Sequence, residues 1–338
     1  MILIDAVYIN SFGGKTILEL IIEKIINSRT SYHVLFDSRL RSKYLDIVNN
    51  KDYTIVIARH KNRKHFYLKN INKFSSILCL SNIPPPTYSS VKTSIFFHNS
   101  LLLNPFIHEI SFKNRLINFF KFIYIKYYNQ KDYNWVVQTP HIYKLLLDSL
   151  NINSDKISTY PIFKKEFKSC NTKKNLNNFV YVSSGVSHKN HIRLINAFIK
   201  AAIETKNKIK LHLTLNKDEL PKMTFPDNLN IEFHGILSED AINKLYNYNE
   251  FAIYPSLVES FGLPLIEATI HGCKVIASDL PYVHEIIEPS LTFDPFSIES
   301  MSNAILRAIN GDLSETKVLV ENKLNSFINF IIKQDVQR

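Results

Sequence analysis

The chain has 338 residues, 45% hydrophobic and 21% charged, which excludes a disordered or fibrous protein and leaves room for two domains with separate cores. Lys and Arg number 41 against 30 Asp and Glu, a formal net charge of +11, which favours anionic partners such as nucleotide phosphates, nucleic acid or an acidic membrane face without choosing among them. Cys79, Cys170 and Cys273 lie in different segments without CxxC spacing, so no disulfide framework or cysteine metal knuckle is expected and a reducing cytoplasm fits.

In chain order, the first stretch, MILIDAVYIN, is apolar but broken by Asp5 and has no basic region before it, so it reads as a buried strand and not as a signal peptide. No apolar run is long enough to span a bilayer. Further strands are predicted at His33–Asp37, Thr54–Ala58, Ser76–Leu80, Thr93–His98 and Trp135–Gln138. Thr16–Ile26 puts Ile17, Leu20, Ile21 and Ile25 on one helical face, so the opening unit is strand, Gly13-Gly14 turn, helix. Ser111–Lys131 mixes Lys113, Arg115, Lys121 and Lys126 with Phe119, Phe120, Phe122, Tyr124, Tyr127 and Tyr128. As a helix it is either a basic aromatic surface that lies in a lipid interface or a domain helix with its aromatic face in the core.

Pro161–Asn178 carries five lysines and little apolar periodicity, which places a linker at 164–178 between an N-terminal domain, 1–163, and a second domain, 179–312. Residues 313–338 are expected as a C-terminal helix. The alternation resumes with strands at Phe179–Ser183, Lys210–Leu215, Asn230–His234, Phe251–Pro255 and Lys274–Ala277 and helices at His191–Thr205, Glu239–Tyr246 and Pro264–His271. Two Rossmann-like α/β domains with parallel sheets follow, and ligands are expected beyond the carboxyl ends of the strands, in a cleft between the halves.

The most informative stretch is Tyr254 to Ala268, YPSLVESFGLPLIEA. A buried strand ends at Tyr254-Pro255, a loop runs to Gly262, and Pro264 suits the first turn of a helix. Gly262 allows close approach of a ligand, and the N–H groups around Phe261 to Leu265 make an anion site at the positive helix end. Glu259 and Glu267 flank it and can accept hydrogen bonds from neutral hydroxyls, a pattern suited to a sugar joined to a nucleotide diphosphate.

Glu259-SFGLPLI-Glu267 resembles the Glu-x7-Glu motif of retaining glycosyltransferases with the GT-B fold, in particular glycosyltransferase family 4. VSHKNHIRLINAF (186–198), FHGILSEDAINKLY (233–246) and GCKVIASDLPYVHEI (272–286) are similar to successive elements of that family's donor-binding domain. The resemblance is strong over most of 178–310 and weaker before it. It implies that Glu267 binds the ribose hydroxyls, that Glu259 binds the donor sugar, and that the backbone of Ser260, Phe261, Gly262 and Leu263 contacts the diphosphate or sugar. Lys189 matches the lysine that pairs with the diphosphate. Many members carry an arginine where this chain has Ser183-Ser184-Gly185, so either the hydroxyls of Ser183 and Ser184, His188 or Arg193 replace it, or phosphate binding is weaker than is usual in the family. His98, in SIFFHNSL, resembles the histidine that faces the reacting sugar, and Gly13 and Gly14 would let backbone approach the donor phosphates or the acceptor. His98, Glu259 and Lys189 are thus the catalytic candidates. Asn82, Gln138 and Thr139 also end predicted strands, with no role assigned.

No metal is expected, since His188 and His191 have no acidic or thiol ligand close in sequence and no DxD pair ends a strand. No cofactor is expected beyond the nucleotide-sugar substrate. The resemblance implies metal-independent retaining transfer of a hexose-type sugar from a nucleotide diphosphate to an acceptor hydroxyl. With the basic excess, it points to a lipid-linked glycan of bacterial O-antigen or capsule synthesis at the inner membrane face. A sugar-nucleotide epimerase of the same fold and a basic nucleic-acid binder are the alternatives, the second without any helix-turn-helix, RNP or zinc-finger signature.

Overall fold

The computed structural model describes residues 1–10, 12–40, 48, 52–103, 112–164, 174–311 and 313–336. They form two units, one of the described residues up to 164 together with 321–336, the other running from 174 to 320.

The first unit is a parallel sheet of β1 (Ile2–Ala6), β2 (Tyr32–Asp37), β3 (Tyr53–Val56), β4 (Ser76–Cys79), β5 (Lys92–Phe96), β6 (Asn134–Val137) and β7 (Ile157–Thr159), in the order β3-β2-β1-β4-β5-β6-β7. Every residue of β1 and of β4 is buried, because helices cover both faces of the sheet and leave no side for a polar alternation. Helix Phe12–Ile26 supplies Ile17, Leu18, Ile21, Ile22 and Ile25 to one of these faces. Helix Pro140–Leu150 starts where Thr139 accepts a hydrogen bond from the Ile142 amide at 3.3 Å, with Pro140 in the first turn. Gln138 accepts from the Ile162 amide at 3.2 Å, so the VVQTP stretch terminates β6 and caps the next helix.

The segment expected as a C-terminal helix from 313 is helical only over Leu324–Val336. That helix belongs to the first unit, where Leu324, Phe327, Ile328 and Ile331 share a core with Ile2, Ile4, Ile21 and Phe96. The rings of Phe96 and Phe327 meet edge to face at 5.6 Å.

The second unit has β8 (Asn175–Tyr181), β9 (Ile209–Leu213), β10 (Leu229–Phe233), β11 (Asn249–Tyr254), β12 (Lys274–Ser278), β13 (Ile287–Glu288), β14 (Leu291–Phe293) and β15 (Lys317–Val318). Six of them form a parallel sheet in the order β10-β9-β8-β11-β12-β14, and β13 pairs with β15 antiparallel. Helices His191–Glu204 and Ile298–Asn310 pack against each other. β8 starts within the span expected as linker, of which 165–173 lie outside the described residues. In both sheets the strand order reverses beside the first strand, β1 lying between β2 and β4, and β8 between β9 and β11.

Asp5, which interrupts the first apolar run, is fully buried in β1 and ion-paired to the equally buried Arg63 at 2.8 Å. Its carboxylate also accepts from the Tyr67 hydroxyl at 2.5 Å and the Val7 amide at 3.1 Å. Arg63 donates onward to the Pro84 carbonyl at 2.8 Å, so one network ties the carboxyl end of β1 to the segment after β4. Removing one partner leaves the other charge buried and unpaired. Arg63→Ala is therefore expected to cost about 3–5 kcal/mol, read as a lower denaturation midpoint from the fluorescence of Trp135, the single and fully buried tryptophan. Asp5→Leu combined with Arg63→Met should recover part of that loss, because it leaves neither charge behind.

Candidate functional site

In the second unit the chain leaves β11 at Tyr254, runs as a loop to Gly262 and enters helix Leu263–Ile270. Gly262 has φ +75 and ψ +48, left-handed backbone that glycine adopts without penalty, and a side chain there would press on Leu265. No side chain caps this helix, and Pro264 lies in its first turn. The Leu265 amide bonds the Gly262 carbonyl at 2.9 Å, which takes Leu265 out of the expected row of anion-binding amides. Ser260 and Phe261 occupy the loop just ahead of the helix.

The adjacent strand β8 leads through Ser183-Ser184-Gly185 to a short turn, Ser187–Lys189. Pairing of β8 with β11 brings the two loops together, and Lys189 forms an ion pair with Glu259, both side chains largely buried. The Leu257 amide donates to the His188 carbonyl at 2.9 Å, and the Tyr181 hydroxyl donates to the Lys189 carbonyl at 2.9 Å while bonding Ser256 Oγ at 2.9 Å. Tyr282 donates to the Ser256 carbonyl at 2.8 Å. This tyrosine scaffold escaped the sequence reading, because tyrosines inside strands carry no local signal of what their hydroxyls will reach.

Glu267 is half-buried in the helix. Its charge, after burial, raises the pKa of Tyr246 and Tyr254, whose hydroxyls bond each other at 2.8 Å. Arg193 donates to Asn190 Oδ1 at 2.9 Å and lies 5.7 Å from the centre of the Phe296 ring, and Asn190, in left-handed backbone, donates to the Pro255 and Pro295 carbonyls. The Ser184 carbonyl accepts from His191 Nε2 at 3.1 Å, and the same nitrogen lies 2.9 Å from Ser183 Oγ.

In the first unit, Gly13 and Gly14 lie inside helix Phe12–Ile26, not in a turn ahead of it. A side chain at Gly14 would meet Ile9 at 3.2 Å and His98 at 3.3 Å, so the missing Cβ allows the helix start to approach His98. Asn82, in left-handed backbone at φ +67, accepts from the His98 amide at 2.6 Å. His98 Nε2 lies 2.9 Å from the Leu80 carbonyl and 3.3 Å from Asn82 Nδ2. Burial lowers the pKa of His98, and its hydrogen bonds to backbone carbonyls offset this only in part. Tyr8, after β1, has φ +81, and its amide donates to buried Asp37 at 3.0 Å. Burial works to raise the Asp37 pKa, but hydrogen bonds from Arg39, with the Arg39 charge and the Tyr8 amide, outweigh it and hold that carboxyl below its ordinary range.

Each unit thus places its candidate residues at the carboxyl edge of a doubly wound sheet, where the strand order reverses. This architecture is the GT-B fold. The structure of WaaG, described as a glycosyltransferase involved in lipopolysaccharide biosynthesis, superposes with a TM-score of 0.67 at 14% identity over 100% of this chain and 96% of that one. Sucrose-phosphate synthase from Thermosynechococcus elongatus gives 0.68 at 14% identity over 91% and 89%. Residues 162–325, the span that holds Glu259 and Glu267, match the family of glycosyl transferases group 1. The O-antigen chain mannosyltransferase RfbU of Salmonella typhimurium is 29% identical over 164 residues, 46% of this chain and 45% of that protein. O-antigen chain mannosyltransferase B of Escherichia coli is 30% identical over 83 residues, 24% and 22%. The chain therefore spans less than half the length of these curated relatives.

Burial, with the neighbouring Lys189 charge, pushes the His188 pKa down to about 4, against the pull of Glu259; burial pushes His191 down to about 4 as well. Between there and the unperturbed 6.5 the unfolded chain binds more protons than the folded one, so stability is held above pH 6.5 and lost as pH falls towards 4. The melting temperature is expected to drop across that window, and His191→Gln should flatten the slope measured by thermal melts at a series of pH values.

Proposed function

We propose that the protein is a retaining glycosyltransferase that moves a hexose-type sugar from a nucleotide diphosphate to an acceptor hydroxyl. The observation that carries this reading is the pairing of Lys189 with Glu259 where β8 and β11 adjoin, beside the uncapped start of helix Leu263–Ile270. A diphosphate competes with Glu259 for the Lys189 ammonium, and the displaced carboxylate is left to accept from sugar hydroxyls. As the glycosidic bond breaks, negative charge grows on the leaving phosphate. Lys189 and the amides at Phe261–Leu263 meet that charge without rearranging, which lowers the barrier. The reading places no metal at this site.

Glu267, one turn into the helix, takes the ribose hydroxyls. The departing phosphate helps to deprotonate the attacking hydroxyl, since no carboxylate of the motif stands as a nucleophile. Ser184 and Arg193 are the remaining donor contacts, with Arg193 already oriented by Asn190 and Phe296. In the first unit His98 faces a substrate hydroxyl, with Gly13 and Gly14 leaving room beside it. The mannosyltransferase relatives support a hexose of the mannose class and a surface polysaccharide acceptor.

Helix Phe112–Tyr128 supports an acceptor presented on a membrane. Phe122, Ile125 and Tyr133 pack into the first unit's core, whereas Phe112, Leu116, Phe120, Ile123 and Tyr127 form an exposed stripe, Phe112 at 79% and Tyr127 at 65% exposure. Lys113, Lys121 and Lys126 are exposed on the same helix. An apolar ridge edged by lysines suits the interface of an anionic bilayer, and among the described residues no helix is long and apolar enough to cross one.

In a thermal-shift panel of GDP- and UDP-sugars, at least one donor should raise the melting temperature. Lys189→Ala and Glu267→Ala should each weaken its binding or turnover by on the order of tenfold or more, as loss of a charge-assisted contact demands; unchanged kinetics in both variants would refute the assignment. In flotation with anionic vesicles at low salt the protein should rise with the lipid. A variant with Phe112→Ser, Phe120→Ser and Tyr127→Ser should stay behind.

A further inference from the structure

At the edge of the second sheet, β10 pairs with β9 so that Glu232 stands opposite His212. Side chains alternate along a strand, so Glu232 and His234, two residues apart, share one face with His212. Three donor atoms converge there. His212 Nδ1 lies 2.9 Å from His234 Nε2 and 3.2 Å from Glu232 Oε2, and His234 Nε2 lies 3.7 Å from the same oxygen. The two rings are nearly parallel, 19° apart with centroids at 5.2 Å. Lys210 holds the other carboxylate oxygen, Oε1, at 2.6 Å, which turns Oε2 towards the rings. The His234 amide donates to the Leu213 carbonyl at 2.9 Å, which fixes where its side chain departs.

These separations are those of one face of a coordination tetrahedron. Bonds of about 2.0–2.1 Å to nitrogen and oxygen put ligand atoms roughly 3.3 Å apart, and the three observed distances bracket that value. A triad of two imidazoles and one carboxylate suits zinc and its borderline neighbours, and discriminates against magnesium and calcium, which take mainly oxygen ligands. His212 is buried while His234 and Glu232 are partly exposed, so the ion would have a route in from solvent and a fourth position open to water.

We propose that His212, Glu232 and His234 form a zinc-type divalent metal site that clamps the edge strand β10 to β9. The site lies outside the residues assigned to sugar transfer, and its test does not depend on that assignment. The full chain, freed of any histidine tag and stripped with chelator, is titrated with Zn²⁺ by calorimetry and with Co²⁺ by its visible d–d absorption. One equivalent per chain is expected, with cobalt bands of tetrahedral intensity, no competition from Mg²⁺, and a melting temperature that rises with zinc. His212→Ala, His234→Ala and Glu232→Gln should each weaken binding by on the order of tenfold or more.

A wild-type measurement guards against variants that misfold: zinc should protect His212 and His234 from diethyl pyrocarbonate, read residue by residue by mass spectrometry. The proposal is overturned if zinc gives no stoichiometric binding, if His212→Ala with His234→Ala binds as the parent does, or if both histidines are modified equally fast with and without zinc. In those cases a proton shared between the rings and the carboxylate accounts for the cluster.

Discussion

Parallel pairing with a reversal beside the first strand is the constraint on which the functional architecture rests. In a parallel sheet every strand delivers its carboxyl end to the same edge. Where strand order reverses, the two flanking chain segments leave in opposite directions and open a space between adjacent loops. In the second unit that space separates the loops after β8 and β11, and it is why residues as distant in sequence as Lys189 and Glu259 become ion-pair partners. In the first unit the reversal lies between β1 and β4. Tyr8 and Asn82, the residues that turn the chain just after those two strands, both adopt left-handed backbone.

A non-glycine residue at positive φ costs free energy and persists only where its surroundings over-determine it. Tyr8 is held by Asp37 through its amide, and Asn82 by its hydrogen bond to the His98 backbone. Beneath them, the Asp5–Arg63 network fixes where β1 ends and where the segment after β4 begins. The polar groups buried in this unit thus serve geometry: they set the loop positions that the apolar core, which is indifferent to direction, leaves undetermined.

Much of the fold was legible because strands covered on both faces are short unbroken apolar runs, and most were found to within a few residues. Those missed were the short or polar ones, such as Ile157–Thr159 and the first half of Asn175–Tyr181, whose residues carry no apolar run. Gly13-Gly14 argued for a turn by propensity, yet the helix starts at Phe12 and Gly14 lies within it where His98 comes close. Of the candidate site, the Glu259 to Glu267 segment was legible, since proline, glycine and strand end lie within one local pattern. The Lys189–Glu259 contact and the His212, Glu232, His234 cluster were not, because each depends on which strands become neighbours. In helix Phe112–Tyr128 composition announced an aromatic surface, but only packing shows that Phe122 turns inward while Phe112 and Phe120 turn out.

Helix Leu324–Val336 carries a consequence for biosynthesis. Its Phe327 and Ile331 complete a core begun by Ile2 and Ile4, with the whole second unit translated in between. As the polypeptide emerges from the ribosome, the first unit stays short of one wall until this helix is made, whereas the second can close as soon as its own strands are out. The later-made half can thus reach its native state before the earlier one, and the nascent first unit meanwhile exposes an apolar groove for a chaperone to shield.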